Sequence, residues 1–342
     1  MHVKRIFLAV AVVALVTASA ALATRPGSGT STGSGVVFLP NPVADLQDQT
    51  LTDQKDSATA VPQAAYHTVP LENLDGSGFL VGSWVNIRSE TGNPAYSPEN
   101  EFSYNRQQDE FEQVMAYYWI DRAQEYIQSL GFRTGGPLRP VNEESQDVRI
   151  NQWGADNSFS WDKKDMIKLG KGGVDDAEDA EVILHEYGHA IQDSQQTPLG
   201  YGFSHEARSI GEGFADYWAY TVSSVVAPTP DPACIADWDA VSYTSTVPHC
   251  LRRVDTNLVY ANYDPTRSVH RNGQIWSRAL RDIRLAVGNV VADRVILEAQ
   301  FGTPDPTMPQ LAQKTVAAAQ SLYGAGVANT VMAVFVARGI LT

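Results

Sequence analysis

The segment EVILHEYGHAIQD (181–193) constrains this chain more than any other. His185 and His189 stand four residues apart, so on an α-helix their side chains leave one face, one turn apart. Imidazoles placed in this way can both reach a tetrahedral Zn²⁺ at about 2.0–2.1 Å. Glu186, on the neighbouring helical position, can then lie beside a water activated by the metal and take its proton. A catalytic zinc takes three protein ligands, so the segment is one donor short. The bland alternative is a helix with two exposed or internally hydrogen-bonded histidines.

A third histidine in the extended His-Glu-x-x-His-x-x-Gly-x-x-His pattern is excluded, because the required positions hold Gln192 and Gln195. The segment IGEGFADYWAY (210–220) offers a glutamate instead. Glu212 and Asp216 lie four apart on one helical face, backed by Ile210, Phe214 and Trp218. Alone, the two carboxylates read as a solvated helix face. With the upstream histidines, Glu212 is expected as the third ligand, and Asp216 as the hydrogen-bond partner of a ligand imidazole.

The surroundings fit an exported globular protein. The 342 residues are 43% hydrophobic and 19% charged, enough for a sizeable core in one large or two medium domains. Residues 1–23 have the form of a signal peptide: a basic MHVKR, a continuous apolar run, and the small-x-small triplets ASA and ALA at its end. An uncleaved anchor is the alternative. Cleavage would remove Lys4 and Arg5 and take the net charge from −14 to −16. So acidic a chain repels nucleic acid and anionic membrane surfaces. The two cysteines, Cys234 and Cys250, both fall in the exported part, where an oxidising compartment favours a disulfide between them. The implied location is secreted and extracellular.

Along the chain, RPGSGTSTGSG (25–35) reads as a flexible spacer, and 36–105 as short strands and loops. Asp75-Gly76-Ser77-Gly78 reads as a turn, since the full spacing of a calcium loop is missing. DEFEQVMAYYWIDRAQEYIQSLGF (109–132) is the first strong helix, with Phe111, Met115, Tyr118, Trp119, Tyr126, Ile127 and Leu130 at helical spacing and Gly131 where a C-terminal cap belongs. DVRINQW, SFSW and MIKL, between 147 and 169, look like short strands. Asp175 or Asp176 is expected to cap the motif helix, with the following carboxylates favouring the positive end of its dipole; a calcium site in that run is the lesser alternative. Gly188 inside the helix costs about 1 kcal/mol relative to alanine, so it is expected to admit another backbone closely. Helices are expected at 206–226, 270–287, 290–300, 308–323 and 327–339. The gradient from strands to helices suggests two lobes with a cleft between them.

HEYGH followed by GEGFADYWA resembles the glutamate-zincins, the thermolysin-like and fungalysin-like metallopeptidases. Glu212 follows His185 by 27 residues, a separation compatible with that group. The resemblance extends to SVHRNGQIWSRAL (268–280), which is similar to the segment carrying the histidine that stabilises the tetrahedral intermediate. It implies that His270 donates a hydrogen bond to the oxyanion. DNSFSW (156–161) is similar to the edge strand that pairs with the substrate backbone, making Asn157 a substrate contact. Tyr201 stands nearest the place of the tyrosine that assists oxyanion binding, with Tyr260 and Tyr263 as outsiders. The long propeptide typical of the group has no room here.

The resemblance implies an α+β, two-lobed thermolysin-like zincin. Its parts would be a signal peptide (1–23), a linker and strand/loop region (24–105) that is either a reduced prosegment or a piece of the mature lobe, an N-terminal catalytic lobe with the motif helix (106–200), and a helical C-terminal lobe (201–342). The implied activity is hydrolysis of internal peptide bonds in a protein or peptide substrate, with Zn²⁺ as cofactor and Ca²⁺ as a secondary candidate. The alternatives are an inactive, exported binding or adhesion module that keeps the fold, and a zinc aminopeptidase.

Overall fold

The computed structural model describes residues 31–88, 92–151, 154–196 and 202–342. The segment proposed as a signal peptide lies outside these residues. No helix among the described residues is long and apolar enough to cross a membrane.

The N-terminal half is built on a helix and two small sheets. Strands β1 (Ser31–Val37) and β2 (His67–Leu74), with the short helix α1 (Pro42–Leu46) between them, are antiparallel neighbours. Strand β3 (Val85–Arg88) belongs to a different sheet, and β4 (Glu101–Phe102) pairs parallel with β1 to complete the order β2-β1-β4. Helix α2 (Asp109–Ser129) follows, and then β5 (Gln146–Arg149), β6 (Phe159–Trp161) and β7 (Met166–Lys168). The second sheet has the order β3-β5-β7-β6; its inner pairs are parallel, and β6 runs antiparallel to β7 on the edge.

Helix α2 is buried on nearly every side, which is why apolar and aromatic residues recur around most of its circumference. Two of its aromatic polar groups find partners across the core: Trp119 donates to the Phe38 carbonyl at 3.2 Å and Tyr117 to that of Glu72 at 2.7 Å. Gln124 accepts from the Tyr187 hydroxyl at 2.7 Å, tying α2 to the motif helix. Gly131 just beyond α2 has a φ of 95°, the left-handed turn expected of a glycine cap.

Two expectations are corrected here. The Gly/Ser/Thr-rich stretch expected to be a spacer is strand β1 from Ser31 onward. Small residues are required there by packing, not by flexibility. A Cβ on Gly35 would stand 2.5 Å from Val114 of α2, and one on Gly33 would stand 2.3 Å from the Asn100 carbonyl oxygen. Likewise, neither Asp175 nor Asp176 caps the motif helix. Residues Asp176–Glu178 form a 3₁₀ turn, and helix α3 (Ala180–Gln196) begins after it, with the Glu181 amide bonded to Asp179 Oδ1 at 2.9 Å. The acidic run is buried and does not line a solvated helix start: Glu178 pairs with the buried Arg106 at 2.8 Å and accepts from the Trp238 indole at 3.0 Å.

The second half is helical. Helix α4 (His205–Val226) packs on α3 and is followed by the two-residue strands β8 (Cys234–Ile235) and β9 (Arg252–Arg253), which pair antiparallel. Cys234 and Cys250 are joined by a disulfide. Helices α5 (Val269–Val287), α6 (Asn289–Gln300), α7 (Met308–Tyr323) and α8 (Ala325–Ala337) complete the chain. One hydrophobic core runs from Val37 to Leu341 through both halves.

Candidate metal centre

Two close helix contacts set the site. At Gly188 of α3, an added Cβ would lie 2.8 Å from Ala215 Cα of α4. At Gly213 of α4, it would lie 2.3 Å from the carbonyl oxygen of Gly273 in α5. Glycine at these points lets three backbones approach where any side chain would hold them apart. The residues beside the contacts are His185 and His189 on α3, Glu212 on α4 and His270 on α5. Ser268 caps α5 through the Arg271 amide at 3.2 Å, which puts His270 in the first turn, over the opening between the lobes.

Potential ligand atoms of His185, His189 and Glu212 all lie within 4.8 Å of one another. Glu212 Oε2 is 3.2 Å from His185 Nε2, 3.8 Å from His189 Nε2 and 3.2 Å from His270 Nε2. The rings of His185 and His189 stand nearly perpendicular, their centroids 4.9 Å apart. Although imidazole nitrogens surround it, Glu212 Oε2 is buried and makes no hydrogen bond. A buried carboxylate oxygen left in this way, facing two imidazole nitrogens, is what a divalent cation in the middle would satisfy. The donor set of two imidazoles and one carboxylate suits zinc.

The second layer orders the first. His185 Nδ1 donates to Asp216 Oδ1 at 2.9 Å, which leaves its Nε2 lone pair turned toward Glu212. Arg252 holds Asp216 in turn, Nε to Oδ2 and Nη2 to Oδ1, both at 2.8 Å. Burial works against ionising Asp216, yet Arg252 and His185 outweigh it and hold the carboxyl at about 2. Glu212 behaves likewise: burial opposes its charge, and His185 and His189 bring it well below the usual carboxylate range. On His185, burial is overcome by Asp216 and Glu212, which push the imidazole up to about 9.

Glu186 points beside this cluster. Burial raises its carboxyl, and the two histidines and the Ser160 amide partly offset the rise. His270 is lowered, chiefly by burial. Two cavities meet at these residues. The larger, about 390 Å³, is lined by Ser158, Phe159 and Ser160 of the edge-strand segment, by Arg208, and by the cluster itself. The smaller, about 220 Å³, lies on the Arg252 side.

Of the residues singled out in the sequence, His185, Glu186, His189, Glu212, Asp216 and His270 are thus brought together. Asn157 lines the smaller cavity, on the loop leading into β6. Tyr201 lies outside the described residues. Tyr260 and Tyr263 bond to Glu206 and His205, respectively, and line neither cavity. Arg252 was not foreseen; its only sequence signal is its place two residues after Cys250, just outside the loop that the disulfide closes.

This fold and this cluster define a zinc metallopeptidase of the two-lobed, thermolysin-like kind. The profile of the family described as fungalysin metallopeptidase (M36) matches residues 152–341, and the chain belongs to that family. Among solved structures it is similar to the precursor of protealysin, a metalloproteinase from Serratia proteamaculans, with 15% identity over 75% of this chain and 85% of that one and a TM-score of 0.54. No curated protein sequence matches it.

Proposed function

We propose that the chain is a secreted endopeptidase in which His185, His189 and Glu212 hold zinc. The observation that carries this is the convergence of three donor atoms on one point, with a buried, unsatisfied carboxylate oxygen among them. Zinc, when bound, supplies Lewis acidity toward a carbonyl and makes water a stronger acid. Glu186 takes a proton from the attacking water and delivers it to the leaving amine nitrogen; its burial raises the carboxyl toward the range such a shuttle needs. His270 donates from Nε2 to the oxygen that becomes negative as the carbonyl is attacked. Asp216, fixed by Arg252, keeps His185 in the tautomer that presents Nε2 inward. The edge strand β6 and the preceding Asn157 hold the substrate backbone by strand addition.

Residues 31–105 are read as a structural part of the N-terminal lobe, because their apolar residues belong to the same core as the catalytic helices. Residues 106–200 form the rest of that lobe, and 201–342 the second. Export follows from the apolar leader of 1–23 and agrees with the Cys234–Cys250 disulfide.

Elemental analysis of the purified protein is expected to give one zinc per chain. Chelation should abolish casein hydrolysis and added zinc should restore it; a protein that is active without metal overturns the reading. His270→Ala is expected to lower kcat roughly 10²–10³-fold, the usual cost of losing one oxyanion donor, with KM little changed. If KM rises while kcat holds, His270 binds substrate and not the oxyanion.

A further inference from the structure

The smaller cavity carries a cluster for which the reaction above has no use. Carboxylate oxygens of Asp156, Asp176 and Asp239 lie within 4.8 Å of one another. Asp176 and Asp239 are each 3% exposed and line the cavity, and Oδ1 of each is buried without a hydrogen-bond partner. Neutral hydroxyls hold the rest of the group in place: Ser158 donates to Asp176 Oδ2, and Tyr243 donates to Asp156 Oδ1 at 2.5 Å. Among the described residues no ion pair is made to the cluster: Arg252, which also lines the cavity, offsets part of the charge on Asp239 but gives its hydrogen bonds to Asp216.

The catalytic residues His185, Glu186 and His270 line this cavity too, and part of its wall is apolar, from Val182, Ile235 and Leu251. We propose that the cavity is a specificity pocket for a lysine or arginine side chain flanking the scissile bond, the cationic head meeting Asp176 and Asp239 and the methylene stem lying along the apolar wall. The proposal rests on the peptidase reading for its substrate and on the pocket's own geometry for its charge preference.

The physical case is one of desolvated charge. Burial, then the neighbouring Asp156 and Glu186, push Asp176 up to about 7; burial with Asp176 and Asp179 pushes Asp239 well above the usual range. A cationic head would relieve this repulsion, and long basic side chains bury their stems along apolar surface while the head finds polar partners. A calcium ion is the competing occupant. It demands six to eight oxygens, whereas the lining offers free carboxylate oxygens only from Asp176 and Asp239, with Asp156 behind them; Glu181, on the same wall, is held by Ser223 and the Ala236 amide, and the rest of the wall is partly apolar.

The test uses zinc-loaded Glu186→Gln protein, which binds substrate without turning it over, and octapeptides of alanine and glycine with acetylated and amidated ends. One carries a single lysine, and its twin carries norleucine. The lysine peptide is expected to bind about 30-fold tighter, the low end for a buried charge pair that loses one partner. Asp239→Asn or Asp176→Asn, in the same background, should bring the two peptides within about threefold; Asp156→Asn, on a less buried residue, gives a second variant with less risk to folding. Equal binding by the parent protein, or a preference that survives all three substitutions, overturns the proposal. So does a norleucine peptide with a free amino end that binds as tightly as the acetylated lysine peptide, because the pocket would then take a chain terminus. So, too, does a bound calcium that Asp239→Asn releases, without any lysine preference. If wild type cleaves casein but no charge preference appears, the pocket inference fails and the peptidase reading stands. If wild type cleaves nothing while the lysine preference holds, the reverse is true.

Discussion

Glu186→Gln is expected to lower kcat on casein or a peptide substrate on the order of 10³–10⁴-fold while the protein keeps one zinc per chain. The prediction follows from where Glu186 lies. It belongs to the same helix turn as the two histidines but not to the set of converging donors, so its loss leaves the metal's ligands in place. Glutamine has nearly the same shape and can still accept from the Ser160 amide, so burial and packing change little. What disappears is the capacity to take a proton and return it. Parallel measurements of kcat and zinc content separate the outcomes. Full activity with zinc retained would remove Glu186 from the mechanism, and loss of zinc would make it a ligand.

The parts of the site that were legible in advance are those whose logic is local. Four-residue spacing on one helix aligns His185 with His189 and Glu212 with Asp216, and the caps and apolar periods of α4 to α7 are helix-scale signals that place boundaries within a residue or so. The parts that were not legible depend on distant neighbours. Nothing near Ser31–Val37 says that its glycines must sit against Val114 and Asn100, so a strand looked like a linker. The acidic run from Asp175 was read as helix-dipole chemistry because its real partners, Arg106 and Trp238, are about 60 to 70 residues away. Arg252 meets Asp216 across 36 residues, and Asp239 meets Asp176 across 63; such pairings leave no periodic trace. The specificity pocket is therefore the least readable part of the molecule, although it borders the most readable one.

Glu212→Ala is expected to remove the metal and, with it, all measurable hydrolysis. The two imidazoles on α3 alone supply fewer donors than a catalytic zinc takes, and the third must come across the α3–α4 contact that Gly188 permits. The loss should also be visible without any substrate. A ligand that binds only the folded state stabilises it by mass action, about 4 kcal/mol when present at about a thousand times its Kd. At roughly 2 °C per kcal/mol for a chain of this length, zinc should raise the wild-type melting temperature by about 8 °C. In the Glu212→Ala protein the same addition should leave the melting temperature unchanged, since the set of converging donors is then reduced to the two imidazoles. Thermal scans with and without zinc, together with metal analysis, check this. Should the variant still show the full zinc-dependent shift, the carboxylate that completes the site must come from elsewhere in the chain, and the geometry at Glu212 Oε2 would reflect only its attraction to neighbouring imidazoles.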